Sequence, residues 1–363
     1  MSFDIYADDF QSLQDALNEA ATTGKTLHLT PRARYAVTAP IVLDNVSVRL
    51  DGHGASILAD VPMLAPLALK NGAYLQAKHL VLGGGRVALY AMHCAGAGGS
   101  HFEDCEFYFG IRDGVHLAAE GAAGGNDCMR FERCRFQHNG RMHRLTVTIN
   151  QTNYPPVPGY ATEPNVEAPD AQFVTWGTRI GDLLHVGKEW LLVQEVIDET
   201  HLRLQLYPDT SGHKEAPATL HVGDGYHEES FNDNNLCVLR DCLFRNNAGA
   251  GAKLCGLFGA RVQNGQFDFN RAYGAVVGHR NGPVLISDFL GCYFEGNASP
   301  AAILLGAAQG VHAVSTNSDV TLFDVTNPTP NWGTSLNAQK AAGFRQASPN
   351  SVDSTLPHTK GDI

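Results

Sequence analysis

The spacing of hydrophobic residues changes near residue 24, from the spacing of a helix to that of strands. Hydrophobic side chains first recur at intervals of three and four residues, at Phe10, Leu13, Leu17 and Ala20. This spacing predicts an amphipathic helix over residues 9–21, with Asp8 and Asp9 as candidate N-cap residues. From residue 26 onward, hydrophobic and polar residues alternate in short runs, which is typical of strands. The chain is therefore predicted to open with one helix and to continue as β-structure.

A short unit, Cys-x-Phe, recurs along the chain. Its first positions are residues 105, 134, 242, 265 and 292, with Gly in place of Cys at 265. The intervals between them are 29, 108, 23 and 27 residues. When about 84 residues, 141–224, are removed from the long interval, 24 remain and the period is restored. The sequence thus predicts a regular repeat that one insertion interrupts.

The repeat length indicates the fold. A period of 23 to 29 residues, with short strands and no helix, is typical of a parallel β-helix. Equivalent residues of neighbouring coils then lie about 4.8 Å apart, and alternate side chains point inward. The Cys and Phe positions are therefore expected to form ladders inside the coils. The insertion has strand patterns and turns of its own, which predict a small antiparallel β domain.

These patterns divide the chain into five predicted parts. The first is an N-terminal cap of one helix and one strand, and two parts of the β-helix flank the insertion. The last part is rich in Asn, Thr, Ser and Pro, so we expect an extended tail there. The predicted boundaries are 1–30 for the cap, 31–140 and 225–315 for the β-helix, 141–224 for the insertion and 316–363 for the tail.

Composition and charge exclude several classes of protein. Of the 363 residues, 44% are hydrophobic and 17% are charged, which is enough for a folded core. The net charge of −11 repels phosphate backbones and anionic membrane surfaces, so we expect neither nucleic acid as a partner nor insertion into a membrane. Residues 1–4 are polar and unlike a signal peptide, which predicts synthesis in the cytoplasm.

The cysteines suggest packing rather than chemistry. Eight are present, most of them at hydrophobic core positions of the repeat, so we expect buried thiols and not disulfides. The Cys-x-x-Cys spacing of zinc sites is absent, and the glycines at 83–85 lack the Lys and Ser or Thr of a phosphate-binding loop. We therefore expect no metal and no organic cofactor.

Several segments carry a resemblance to a known family. The opening helix and the segments 24–31, 35–37, 41–43 and 50–57 resemble the N-terminal end of pectin-lyase-like right-handed β-helix proteins. Within that superfamily, segments 225–227, 232–235 and 240–249 are similar to the coils of bacteriophage tailspike proteins. The resemblance implies an all-β chain, namely a right-handed parallel β-helix with an N-terminal capping helix and a small antiparallel β insertion.

The same resemblance implies a function. A tailspike is a homotrimeric protein of the virion tail that binds a polysaccharide of the bacterial surface and often cleaves it, beside other virion tail proteins. Two alternatives stay open: a non-enzymatic structural tail fibre or decoration protein, and a bacterial polysaccharide lyase or epimerase. Whether the chain is a depolymerase, and whether by hydrolysis or elimination, is left open by the sequence.

One candidate catalytic column lies eleven residues beyond the Cys positions. The unit Asp-Gly-x-His occurs at residues 113–116 and again at 224–227, on either side of the insertion. If the insertion loops out, five polar residues stack on adjacent coils of the outer surface. They are Asp113, His116, Asp224, His227 and Lys253. A His or a Lys can take a proton while Asp orients it, although Asp-Gly is also a common turn and a surface His needs no function.

A second candidate site lies three residues beyond the Cys positions. There the register places Asp268 and Glu295 on adjacent coils, near the carboxyl separation of retaining glycosidases. One carboxyl group would need a raised pKa to act as the acid. The alternative is a solvated pair of carboxylates moderated by Arg245.

Seven further residues are candidates for glycan binding. Glu229 follows the first column along its strand, and Tyr108 belongs to the second column. The aromatic rings of Trp176 and Trp190 in the insertion offer flat faces for sugars, as do Tyr154, Tyr160 and Tyr207. The insertion also needs aromatic residues for its own core, so these rings have two competing explanations.

Overall fold

A computed structural model gives the fold of the chain. It describes residues 4–118, 125–149, 166–205, 215–229, 234–256, 258–279, 284, 286–306, 308, 311–317, 321–324, 345–348 and 351–352. Nearly all of the regular structure is β, arranged as a parallel solenoid and a closed antiparallel barrel. The predicted fold class, a parallel β-helix with an N-terminal helix and an antiparallel insertion, is confirmed.

The N-terminal helix covers one end of the solenoid. A 3-10 turn, Ala7–Asp9, precedes the α-helix Leu13–Thr23. The side chain of Ser12 caps this helix, because its Oγ accepts a hydrogen bond from the backbone N–H of Asp15 at 3.1 Å. The helix therefore begins later than the sequence predicts, and the acidic pair before it is not the cap. Within the described part of the chain, no helix is long and apolar enough to cross a membrane.

The coils of the solenoid build three parallel sheets. The first sheet contains Asp4–Tyr6, Thr26–His28, Ser47–Asp51, Tyr74–Lys78, His101–Glu103, Arg130–Glu132, Val238–Arg240, Arg261–Gln263, the start of Ser287–Glu295, Val311–Ser315 and Arg345–Ser348, with which Ser351–Val352 pairs antiparallel. The second contains Arg34–Val37, Ser56–Ala59, Val81–Gly83, Glu106–Tyr108, Arg135–Gln137, Leu243–Arg245, Gln266–Asp268 and the end of Ser287–Glu295. The third contains Ile41–Asp44, Leu67–Lys70, Met92–Ala95, Val115–Leu117, Tyr226–Glu228, Ala252–Leu254, Ala275–Val277, Ala301–Leu305 and Thr321–Asp324.

The solenoid continues across the insertion without a gap. Arg130–Glu132 pairs directly with Val238–Arg240, and Arg135–Gln137 pairs with Leu243–Arg245. More than 100 residues separate the paired strands along the chain, yet they occupy neighbouring coils. The predicted register of the repeat, with the insertion looped out, is therefore correct.

The insertion forms the barrel. Its strands are Arg141–Ile149, Val166–Glu167, Leu183–Val186, Glu189–Val196, His201–Gln205 and Ala216–Val222. All neighbouring strands pair antiparallel, and the barrel has a hydrophobic core of its own. Two of these strands, Val166–Glu167 and Ala216–Val222, carried no clear signal in the sequence, and they close the barrel.

Stacked aromatic rings fill the solenoid. Phe107, Phe136, Phe244, Phe267 and Phe294 form one ladder, and consecutive ring centroids lie 5.2, 4.9, 4.5 and 4.8 Å apart. The Cys positions form the neighbouring ladder, where each buried thiol faces a backbone carbonyl. Both ladders were predicted from the repeat, because equivalent side chains of parallel coils must stack.

A second ladder, of asparagines, fixes the turn between the second and third sheets. Each side-chain amide of this ladder except the last donates a hydrogen bond to the side-chain oxygen of the asparagine on the next coil, at 2.9–3.1 Å. The members, in order, are Asn139, Asn247, Asn270 and Asn297. Each side-chain amide also donates to a backbone carbonyl of the preceding coil. The ladder satisfies polar groups that would otherwise be buried unpaired. Asn246, which directly precedes Asn247, takes no part in these hydrogen bonds.

The barrel folds back onto the outer face of the third sheet. Leu183, Trp190 and Leu192 of the barrel pack with Val276 and Leu304 of the solenoid in one buried hydrophobic cluster. This contact decides which parts of the solenoid surface remain open.

One carboxyl group lies inside the solenoid, at Glu228. Its Oε2 accepts hydrogen bonds from the backbone N–H groups of Cys255 and Gly256, each at 3.0 Å, and the Tyr226 hydroxyl donates to Oε1 at 3.0 Å. Burial raises the pKa of Glu228 to about 7, although these hydrogen bonds favour the charged form. The folded chain therefore holds this proton to a higher pH than the unfolded chain does.

Replacing Glu228 by Gln is expected to stabilise the protein at pH 8 and to have little effect at pH 4. The stability that comes from the raised pKa is present below the ordinary value of 4.5 and is lost as the pH rises through about 7. The full loss amounts to about 3 kcal/mol. Gln keeps the contacts, because its Oε1 can accept both backbone hydrogen bonds and its Nε2 can donate to Tyr226.

Urea denaturation of the two proteins at both pH values measures this difference. Glu167→Gln, a change at an exposed barrel position, is the control and should be neutral at both. An equal effect of Glu228→Gln at pH 4 and pH 8 would show that the pKa is not raised.

Candidate functional site

The first predicted column lies on the outer side of the third sheet. His116 pairs in register with His227, and His227 pairs with Lys253. Val115 and Leu117 belong to the solenoid core, so the side chain between them points outward. The structure thus brings the predicted residues together on consecutive coils.

The sequence had indicated that this column is open to solvent, but the structure shows that it is buried. Asp113, His116, Asp224, His227 and Lys253 are each at most 2% exposed. The barrel covers them: Asp182, which directly precedes its strand Leu183–Val186, reaches Lys253. The expectation of an exposed surface column is therefore wrong, because the insertion returns to the sheet from which it emerges.

His227 is held by the aspartate of the preceding coil. Its Nδ1 lies 3.2 Å from Oδ2 of Asp113. The other oxygen of Asp113 accepts a hydrogen bond from the backbone N–H of Asp224 at 2.8 Å. Burial raises the pKa of Asp113, but His227 and Arg112 outweigh it and hold that pKa well below its ordinary value. Asp113 is therefore ionised across the physiological pH range.

Lys253 is the centre of a buried ion-pair network. Its Nζ lies 2.7 Å from Oδ2 of Asp224 and 3.6 Å from Oδ1 of Asp182. Burial lowers the pKa of Lys253, yet the carboxylates around it raise that pKa above its ordinary value. Lys253 therefore stays charged and is a poor proton acceptor near neutral pH. Burial has the opposite result for Asp224, whose pKa is raised despite the nearby ammonium group.

Two members of this network were missed by the sequence analysis. The guanidinium group of Arg112 binds Asp182 through two nitrogens, at 3.1 and 3.2 Å, and also donates to the carbonyl of Gly177. Asp182 lies in the insertion, which has no repeat register, so no sequence signal placed it beside the solenoid. Arg112 directly precedes Asp113, but the second Asp-Gly-x-His unit has Gly223 at that position.

The edge of the cluster reaches the surface at one ion pair. Glu229 lies 3.5 Å from Nε2 of His116 and 3.4 Å from a guanidinium nitrogen of Arg179. The side chains of Glu229 and Arg179 are 36% and 34% exposed. Burial holds the pKa of His116 well below its ordinary value, so this ring is neutral at pH 7.

This geometry favours attachment over catalysis. A polysaccharide cannot contact the five predicted residues while the barrel is docked, and the buried lysine is paired with two carboxylates. The ions of the solenoid, Lys253 and Arg112, share one carboxylate of the barrel, Asp182. The network therefore holds the barrel against the third sheet.

The second predicted site is also assembled, but it is partly covered. Asp268 and Glu295 are register partners on adjacent coils. Asp268 is buried; the amide of Gln266 donates to its Oδ2 at 2.6 Å, and Arg245 lies 3.3 Å from the same oxygen. Burial raises the pKa of Asp268 although both neighbours lower it, and Glu295 is exposed. The two carboxyl groups thus have the different environments that a general acid and its partner require.

The predicted sugar-stacking rings have different surroundings. Trp190 is only 5% exposed, because it stacks on His185 at 4.2 Å and packs on Tyr273 in the docked interface. It therefore has a packing role and offers no face to a sugar. Trp176 is half-buried and stacks on His143 at 4.1 Å. Tyr154, Tyr160 and Tyr207 lie outside the described residues.

An open groove lies where the barrel strand Arg141–Ile149 leaves the solenoid. It has a volume of about 370 Å³. Its lining includes three arginines and two histidines: Arg86, Arg141, Arg271, His138 and His143. The arginines are exposed, and no carboxylate of a described residue lies within 4 Å of their guanidinium groups. The sequence analysis missed this site because its residues come from four separate segments.

A strip of four residues runs along the coil axis, and two of them, His138 and Asn246, also line this groove. Phe109, His138, Asn246 and Phe269 follow the second sheet on consecutive coils, and each has a left-handed backbone with φ of 53–59°. We call these four residues the corner strip. Arg86 lies over the ring of Phe109 at 4.5 Å, and Phe269 is 42% exposed. Tyr108, predicted to bind glycan, packs against Phe109 at 4.8 Å.

Comparisons with known proteins concern the fold alone. No protein-family model and no curated protein matches the chain. Among solved structures, it is similar to an alginate lyase from Paenibacillus sp. str. FPU-7, with a TM-score of 0.41 and 11% identity over 85% of this chain and 95% of that one. It is also similar to the catalytic domain of a GH87 α-1,3-glucanase, with a TM-score of 0.34 and 9% identity over 90% of this chain and 68% of that one. The similarity to the Dettilon tailspike protein has a TM-score of 0.34 and 9% identity over 95% of this chain and 68% of that one. The structure itself shows the fold, a parallel β-solenoid with a closed antiparallel barrel.

Replacing Asp182 by Ala is expected to detach or loosen the barrel. The substitution leaves Arg112 and Lys253 buried without their shared carboxylate, which should lower the free energy of unfolding by about 3–5 kcal/mol. Asp170→Ala, at an exposed position of the insertion, is the matched control and should change it by less than about 0.5 kcal/mol. Denaturant unfolding followed by tryptophan fluorescence measures both. Similar midpoints for the two variants would mean that the network does not hold the barrel.

Proposed function

We propose that the protein binds an acidic polysaccharide of a bacterial surface, as a tailspike-like component of a virion tail. The observation that carries the binding proposal is the open groove with its three exposed arginines. The buried column beneath the barrel plays no part in it.

The groove carries positive charge, whereas the whole chain is negatively charged. The protein has a net charge of −11, so a general attraction to polyanions is not expected. Arg86, Arg141 and Arg271 nevertheless share one groove, and no described carboxylate pairs with them. Guanidinium groups bind carboxylates and phosphates through paired hydrogen bonds. A polymer with regularly spaced acidic groups is the ligand that fits this arrangement.

The corner strip supplies the second element of a carbohydrate site. Its members recur once per coil, at a spacing of about 4.8 Å. Phe269, which is 42% exposed, offers a ring on which apolar faces of sugars can pack, and Asn246 offers an amide. An extended chain of sugars lying along the solenoid axis would contact the strip and the arginines together.

The place of action rests on the sequence. The coils resemble those of tailspikes, which supports a homotrimer in a virion tail, with a bacterial surface polysaccharide as receptor and other tail proteins as neighbours. A non-enzymatic tail fibre would use the same groove in the same way.

Cleavage is a second candidate function, and one observation favours it. Burial raises the pKa of Asp268, and the exposed Glu295 occupies the next coil. Asp268 would act as the acid and Glu295 as the ionised partner of a glycoside hydrolase. Arg245 covers Asp268 and is itself 41% exposed, so its side chain must swing away to admit a sugar.

The groove can be tested with two polymers of opposite character, alginate as a polyuronate and dextran as a neutral glucan. Wild-type protein is expected to bind alginate and not dextran, and the affinity should fall as salt is added. The double variant Arg141→Gln, Arg271→Gln should bind alginate about tenfold more weakly, if each charge contributes about 0.7 kcal/mol. Biolayer interferometry measures these affinities.

Arg261→Gln is the control, because Arg261 is an exposed arginine of the first sheet, away from the groove. Equal binding of alginate and dextran, or equal affinities of the double variant and the control, would contradict the proposal. Reducing ends released from the bound polymer, and lost in Asp268→Asn, would add cleavage to binding.

A further inference from the structure

Three residues with metal-ligating side chains converge beneath the barrel. A carboxylate oxygen of Asp113 and one ring nitrogen each of His116 and His227 lie within 4.8 Å of one another. The register of the third sheet brings the histidines side by side, with ring centroids 5.2 Å apart. All three side chains are at most 2% exposed.

Three of the four ring nitrogens in this group lack a hydrogen-bond partner among the described residues. Both ring nitrogens of His116 and Nε2 of His227 are buried and make no hydrogen bond to a described residue. A buried polar atom without a partner costs about 1–3 kcal/mol. A neutral imidazole carries a lone pair on one nitrogen, which a metal ion would satisfy.

The charges of the cluster leave room for a cation. Three carboxylates, Asp113, Asp182 and Asp224, face two cationic groups, Arg112 and Lys253. When all three carboxyl groups are ionised, the sum is one negative charge in a buried place. A bound cation can neutralise it.

We propose that Asp113, His116 and His227 form a binding site for one Zn²⁺ ion. Imidazole nitrogen and carboxylate oxygen are ordinary zinc ligands. Glu229 lies 3.5 Å from Nε2 of His116, at the edge of the site, but it does not belong to the group of three ligands. Ligands of tetrahedral zinc lie about 3.4 Å from one another, so small side-chain movements would close the site. The half-exposed pair of Glu229 and Arg179 marks the path of entry.

The site would join parts of the chain that are distant in sequence. Asp113 and His116 precede the insertion, and His227 follows it. The ion would therefore stabilise the point where the barrel leaves and re-enters the solenoid, and its role would be structural. No sign of a metal site is visible in the sequence, because these ligands are not all closely spaced along the chain and meet only through the pairing of coils.

The test uses the full chain, stripped of metals with a chelator and dialysed. Titration with Zn²⁺ in a calorimeter is expected to show one ion per chain, and Zn²⁺ should raise the melting temperature. Co²⁺, used as a probe, should give the visible absorption of a tetrahedral site without a thiolate charge-transfer band. His116→Gln and His227→Gln should each weaken binding roughly tenfold or more.

The matched control is His53→Ala, since His28, Asp51 and His53 form a second, partly exposed group of possible ligands. Circular dichroism and melting without metal show whether each variant is folded, and Asp113→Asn offers a third variant if one His variant is not. Absence of stoichiometric binding overturns the proposal. Loss of binding in His53→Ala alone, or a thiolate band, would assign the ion to another place and overturns it equally.

Discussion

The pairing of Lys253 with Asp224 and Asp182 is the constraint on which the rest of the structure depends. An ammonium group on the outer face of a sheet is hydrated and does not destabilise the fold. Once a second domain covers it, the lost hydration destabilises the fold unless the charge is paired. Asp182 supplies the missing charge from the barrel and binds Arg112 as well. The hydrophobic contacts around Val276 lie in the same interface between the barrel and the third sheet.

The docked barrel covers one part of the solenoid surface and leaves another part open. It closes the third sheet, where the repeat had placed candidate catalytic residues, and it leaves the corner after the second sheet open. Its first strand contributes Arg141 and His143 to the groove at that corner. One insertion thus removes a possible active site and builds the edge of a possible binding site. This is why the arginine groove, and not the histidine column, carries the proposed function.

The sequence predicted whatever follows from the repeat. Stacking of Phe244 between its neighbours and the alignment of His116 with His227 are consequences of period alone, and both are correct. Burial of the column could not be predicted, because Asp182 belongs to a barrel without repeat register. The groove could not be predicted from the sequence for a similar reason. Arg86, Arg141 and Arg271 belong to different coils and to the barrel, and nothing in their local sequence relates them.

Chemical labelling of Lys253 tests the central claim most directly. The native protein is treated briefly with an acetylating reagent, and the modified lysines are quantified by mass spectrometry, with the exposed Lys188 of the barrel as internal reference. If the barrel is docked as described, Lys253 stays unmodified while Lys188 reacts, and Lys253 reacts only after denaturation. Modification of Lys253 in the native protein at a rate close to that of Lys188 would contradict the account.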